Sequence, residues 1–217
     1  MFLLGTEHKF PPIELASDEG ILALGGDLHP DRLFKAYNNG IFPWYNEGEP
    51  IIWYSPDPRM VLYPKDVKIS KSMRKILKNK LFTITFNQNF QEVIRYCKTT
   101  QRKGQQGTWI TDELEKSMIK LYHRGIAKSI EVWQHNKLVG GLYGVDLKDL
   151  FCGESMFSFV PNASKVAFIT LAQKLEKEKY PIIDCQVYND HLASLGAVEI
   201  TQKDFKKYLP KKQENTR

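Results

Sequence analysis

Cysteine is scarce in this sequence. Cys97, Cys152 and Cys185 are its only three, and an odd number at wide spacing suits neither a disulfide framework nor a zinc site. They read as small buried hydrophobes, and no metal is expected. Long apolar runs are also missing. Nothing approaches the roughly 18 consecutive apolar residues of a membrane-spanning helix, and Phe2-Leu3-Leu4 is far too short for the apolar core of a secretory leader. A cytoplasmic protein with no membrane partner is therefore expected. Internal repeats are absent. Acidic residues are outnumbered, 25 against 31 basic ones, for a net charge of +6. That excess suggests an anionic partner, nucleic acid ahead of a membrane.

What is present is an ordinary globular mixture, 42% apolar and 26% charged, long enough at 217 residues for one large domain or two small ones. The first sixty residues are rich in Gly, Pro and aromatics, with one helix starting at Pro30 or Asp31 and stopping at Asn39-Gly40. Ser70 can cap a helix that carries Lys71, Arg74, Lys75 and Lys78 on one side and Met73, Ile76 and Leu77 on the other. A strand over 83–86 precedes a helix over about 89–98, a polar loop KTTQRKGQQG, and a helix from Thr111 to Gly125. Three strands follow, AKSIEVWQ, LVGGLYGVD and LFCGESMF, joined by turns at His135-Asn136 and Lys148-Asp149. A long helix opening at Asn162 or Ser164 runs to about Lys179. After it come the strand IIDCQV, a short helix from Asp190 and a last strand AVEIT. The order α, β, β, β, α, β, α, β predicts an α+β fold, an open mixed sheet covered by helices. The tail PKKQENTR reads as a solvated end.

In IIDCQV the alternation of an extended strand puts Asp184 and Gln186 on one face and Ile183, Cys185 and Val187 on the other. An acid and an amide sharing a face can form a polar site. Taken alone, Asp184 reads equally well as a buried carboxylate satisfied by backbone donors, Asn189 as a helix cap, Glu154 as a surface ion-pair partner, and Trp44 and Trp109 as core. The basic side of the Ser70 helix reads equally as a solvated face.

The segments GILALGGDL, GIFPWY, WYSPDPR, GTWIT, SIEVW, VGGLYGV, LFCGESMFS, NASK and IDCQVYNDHLASLGA, in that order from about Gly20 to Tyr208, resemble the bacterial leucyl/phenylalanyl-tRNA–protein transferases. The resemblance implies a small amino-terminal mixed domain (1–62) and a carboxy-terminal acetyltransferase-like (GNAT-like) domain (63–217). It implies transfer of Leu or Phe, with Met a further donor, from aminoacyl-tRNA to the N-terminal Arg or Lys of a protein, which marks that protein for degradation. Neither cofactor nor metal is implied, and the enzyme is expected to be a monomer. Asp184 and Gln186 match the family's catalytic pair. Glu154 and Asn189 match residues at the peptide end of the site, Trp44 and Trp109 the aromatics beside the aminoacyl-adenosine, and Leu142, Phe151 and Met156 a pocket for the transferred side chain. Lys71, Arg74, Lys75 and Lys78 would line an acceptor-stem path by phosphate contacts. Two departures stand out: a family Tyr falls at Met118, which removes its hydroxyl, and the carboxy end is shorter than in familiar members. Two other readings compete, an acyl-CoA-dependent N-acetyltransferase and a non-enzymatic tRNA-binding protein. Against the first, the strand-to-helix junction SFVPNASKVA has no glycine to bring backbone N–H groups close to a pyrophosphate.

Overall fold

The computed structural model describes residues 2–100 and 108–210. In chain order the elements are β1 (Phe2–Leu4), β2 (Ile21–Gly25), α1 (Pro30–Asn38), β3 (Phe42–Pro43), β4 (Ile52–Tyr54), β5 (Arg59–Leu62), α2 (Lys71–Lys78), β6 (Thr83–Phe86) and α3 (Phe90–Thr99). They continue with α4 (Asp112–His123), β7 (Ala127–Gln134), β8 (Lys137–Asp146), β9 (Leu150–Ser158), α5 (Ala163–Lys177), β10 (Ile182–Gln186), α6 (Asp190–Ser194), β11 (Val198–Ile200) and α7 (Gln202–Phe205). The helix starts follow from side-chain caps: Ser70, Thr111 and Asn189 accept from the backbone N–H groups of Met73, Leu114 and Leu192. Asn162 opens α5 as expected, but by its backbone alone. It precedes α5 in a left-handed backbone, φ 72°, and caps nothing with its side chain. Phe2–Leu4 and Gln202–Phe205 are elements that the patterning did not predict. Most of the KTTQRKGQQG loop and nearly all of the tail lie outside the described residues.

The strands form a four-stranded sheet, β1-β2-β4-β3, and a seven-stranded one, β11-β5-β10-β9-β8-β7-β6. Each is mixed: β1 with β2 and β9 with β10 are parallel pairs among antiparallel neighbours. With seven α-helices among the described residues this is an α+β fold. Alternate residues of the large sheet divide between two apolar clusters. Tyr143, Val145, Cys152 and Ile182 pack with α1, α3 and α4, while Leu142, Phe151 and Ile183 pack with α5. β5 ends at Leu62, where the expected amino-terminal part ends, yet it sits inside the large sheet between β10 and β11. Among the described residues no helix is long and apolar enough to cross a membrane.

Two irregularities shape the middle of that sheet. Between β8 and β9 the register passes from Gly144↔Gly153 to Tyr143↔Ser155, so Glu154 has no partner. Between β10 and β5 it passes from Asp184↔Val61 to Gln186↔Met60, skipping Cys185. Both are β-bulges, which re-aim side chains and bend strands. The pairing of β9 with β10 also stops at Cys152↔Asp184. Beyond it the two strands part.

Candidate functional site

A cleft of about 520 Å³ opens where β9 and β10 separate. Glu154 and Met156 come to it from β9, Leu142 and Tyr143 from β8, Phe168 and Leu171 from α5, and Gln186 to Asn189, His191 and Leu192 from the end of β10 and α6. Trp44, just past β3, and Trp109, just before α4, complete its wall. Trp44 is 39% exposed, a large apolar side chain left open on one side.

Asp184 lies behind this lining, buried and fully committed. Arg59 Nε donates to Asp184 Oδ1 at 2.8 Å and Arg59 Nη2 to Oδ2 at 2.7 Å, a two-pronged charge-assisted pair, and the Gln186 backbone N–H donates to Oδ1 at 2.9 Å. The guanidinium donates its remaining arm to the Gly40 carbonyl and lies between the rings of Phe42 and Phe205, 4.8 and 4.7 Å from their centroids. Gln186, its backbone at φ 66°, turns out of the strand instead of continuing the alternation. Its Nε2 donates to Glu154 Oε1 at 2.7 Å. Glu154 Oε2 is buried and accepts no hydrogen bond. Burial pushes the Glu154 carboxyl up from the ordinary 4.5 to about 7. The Tyr37 hydroxyl, the Gln186 amide and Arg59 pull it down, and the Asp184 charge pushes it further up. Burial also raises the thiols of Cys152 and Cys185, so neither offers a thiolate.

A carboxyl whose folded pKa exceeds its unfolded one binds extra protons in the native state, so stability falls as pH rises through the window between the two. For Glu154 that window runs from 4.5 to about 7. Glu154→Gln should remove a pH-dependent loss on the order of 3 kcal/mol across it, seen as a flatter denaturation midpoint against pH than the wild type shows.

Of the sequence-predicted residues, Gln186, Glu154, Asn189, Trp44, Trp109, Leu142 and Met156 meet at the cleft. Asp184 braces it from behind. Phe151 is set apart: it is 2% exposed in the apolar cluster, and its ring occupies the space a side chain at position 144 would need. Met118, at the position of the family's Tyr, is fully buried in the opposite cluster and does not line the cleft. Lys71, Arg74, Lys75 and Lys78 are exposed on α2. Arg74 borders a separate groove with Lys68 and Lys165, which reaches Ser194 and Leu195 at the far end of α6 from the cleft. Residues that patterning missed include Phe168 and Leu171, which look like ordinary core positions among the many apolar residues of α5, and Tyr37, which carries no distinguishing signal. Arg59 did carry one, as a cation heading the otherwise apolar strand Arg59–Leu62.

The chain matches the family model described as leucyl/phenylalanyl-tRNA protein transferase over residues 61–210, and the model of that protein's amino-terminal domain over 26–57. The chain belongs to the leucyl/phenylalanyl-tRNA–protein transferase family. Members of this family are aminoacyltransferases. The relative so named from Flavobacterium johnsoniae is 58% identical over 98% of this chain and all of its own length, and that from Christiangramia forsetii is 56% identical over 96% of this chain and all of its own. Among solved structures, a conserved protein of unknown function from Bacteroides thetaiotaomicron overlaps 64% of this chain and 54% of its own, with a TM-score of 0.49 and 12% identity.

Proposed function

We propose that this family member transfers Leu or Phe, with Met as a further donor, from aminoacyl-tRNA to the N-terminal Arg or Lys of acceptor proteins in the cytoplasm, marking them for degradation. One observation carries the reading: a single cleft holds an apolar pocket, two indoles and an acid–amide pair, with no thiolate among the described residues that line it. Aminolysis of an aminoacyl ester runs downhill, so what it needs is an amine aligned with the carbonyl and a route for one proton. Leu142, Met156, Phe168 and Leu171 suit the donor's Leu or Phe side chain. Trp44 and Trp109 suit the terminal adenosine, because an indole face stacks on any base. Glu154, Gln186 and Asn189 form the end that receives the acceptor's amine, while Asp184 acts by holding the Gln186 turn.

The acetyltransferase-like architecture is part of the proposal, supported by the parted β9 and β10 and by α5 packed beside them. Residues 1–62 then supply the Trp44 wall and residues 63–217 the remainder, in a monomer. The groove along Lys68, Arg74 and Lys165 ends at the opposite end of α6 from the cleft, which favours an acceptor stem lying along α2, toward Lys71, Lys75 and Lys78. The deciding assay incubates the protein with labelled Leu-tRNA and peptides beginning with Arg, Lys or Ala. Label should pass to the first two. Retention of all label on the tRNA, under conditions where the tRNA is bound, would overturn the reading.

A further inference from the structure

Two carboxylates serve this cleft, and they differ in one respect that bears on the chemistry. Both oxygens of Asp184 are occupied by Arg59, and one of them also by the Gln186 backbone. Such a carboxylate cannot accept a proton without breaking a buried ion pair, which costs several kcal/mol. Glu154 has one oxygen engaged, by the Gln186 side chain, and one buried without a partner. The β9 bulge frees it from strand pairing, and it lines the cleft at the wall where the strands part. A buried polar atom with no partner is uncommon and calls for an explanation.

We infer that Glu154 Oε2 is the atom that takes the proton from the attacking amine, with Gln186 and Asp184 as positioning residues. The inference rests on the transferase reading given above and names the base within it. As the C–N bond forms, one N–H proton passes from the acceptor nitrogen to Glu154 Oε2. When the ester C–O bond breaks, the same proton goes to the departing ribose oxygen and Glu154 returns to its starting charge. No redox partner or co-reactant is needed. The Gln186 amide turns its NH₂ toward Glu154 Oε1, which fixes the carboxyl plane and leaves Oε2 as the free site. A base poised near neutral pH suits an α-amine whose own pKa is about 7.7–8. The groups that set this environment are Tyr37 from α1, Tyr143 from β8, Cys152 on β9, Asp184 from β10, Arg59 from β5 and, across the cleft, His191 on α6. The Tyr37 hydroxyl lies close enough to the Glu154 carboxyl to favour its ionised form as a donor, without completing a hydrogen bond in this structure.

The test measures kcat at saturating Arg-peptide, from pH 5.5 to 9, for wild type, Glu154→Gln and Glu154→Ala. Glu154→Gln keeps an oxygen for Gln186 and removes only the base. The expected result is a wild-type kcat that rises with pH through an ionisation near 7. Glu154→Gln should lower kcat about 100-fold or more, remove that inflection and leave the acceptor KM within a few fold. Formate should restore part of the Glu154→Ala rate. A Glu154→Gln enzyme with unchanged kcat and a raised acceptor KM would overturn the inference and assign Glu154 to binding the acceptor's cation. An unshifted pH profile in folded Glu154→Gln would overturn it as well. Failure of the wild type to label the peptide would instead strike the transferase reading.

Discussion

Arg59→Met should lower the free energy of unfolding by about 3–5 kcal/mol, the cost of leaving a buried carboxylate without its cation. Asp184 is 1% exposed and, among the described residues, pairs with Arg59 alone, so no other described cation stands ready to replace the guanidinium. The loss should extend beyond stability. Asp184 holds the Gln186 backbone through Oδ1, and that bond fixes the turn that aims the Gln186 amide at Glu154. Arg59→Met should therefore show strongly reduced transfer even at temperatures where it stays folded. The double variant Arg59→Met/Asp184→Leu separates the two effects. Replacing both charges by apolar groups of similar size is often neutral or stabilising, so chemical denaturation should show most of the stability regained while transfer stays low. A single variant within about 1 kcal/mol of wild type would show that the pair contributes little.

Gly144→Ala should be the other large effect. A Cβ at this position would sit 2.3 Å from the Cys152 carbonyl oxygen and 2.5 Å from the Phe151 ring. The ring could turn away, but the carbonyl belongs to the β9 backbone and cannot. Overpacking usually costs about 1–3 kcal/mol, and a backbone collision belongs at or above the upper end. Gly144 also stands opposite Gly153, one residue before the β9 bulge, so relief by strand displacement would move Glu154. A thermal melt and a transfer assay on the variant should both fall. An unchanged melting temperature would mean that β9 shifts freely there.

Helix ends were the most legible part of the fold, because each carries its cause locally. Ser70, Thr111 and Asn189 are capping residues followed by amphipathic turns, and the structure starts helices at all three. The three strands of 127–158 were legible from their alternation and intervening turns. The bulges were not. Nothing in LFCGESMF marks Glu154 as an extra residue, and its consequence is long-range: Phe151 and Met156, an odd number of positions apart, reach the same apolar cluster because the bulge shifts the phase between them. The simple alternation read into IIDCQV likewise fails at Cys185, for the same reason. Motif resemblance brought seven of the nine expected site residues outside the basic helix to one cleft. It could not show that Asp184 is spoken for by Arg59, since that pairing joins positions 125 residues apart.

The clasp around Arg59 also has a consequence for when the protein can work during its own synthesis. Its two aromatic plates come from opposite parts of the chain, Phe42 early and Phe205 late, and β5, which carries Arg59, is covered on its outer edge by β11. A nascent chain that has already produced both tryptophans, Glu154 and even Gln186 still lacks the strand and the ring that seal the ion pair from water. Such a chain holds the chemistry of the cleft but not its frame. The frame of the site is thus complete only once residues 198–205 are in place.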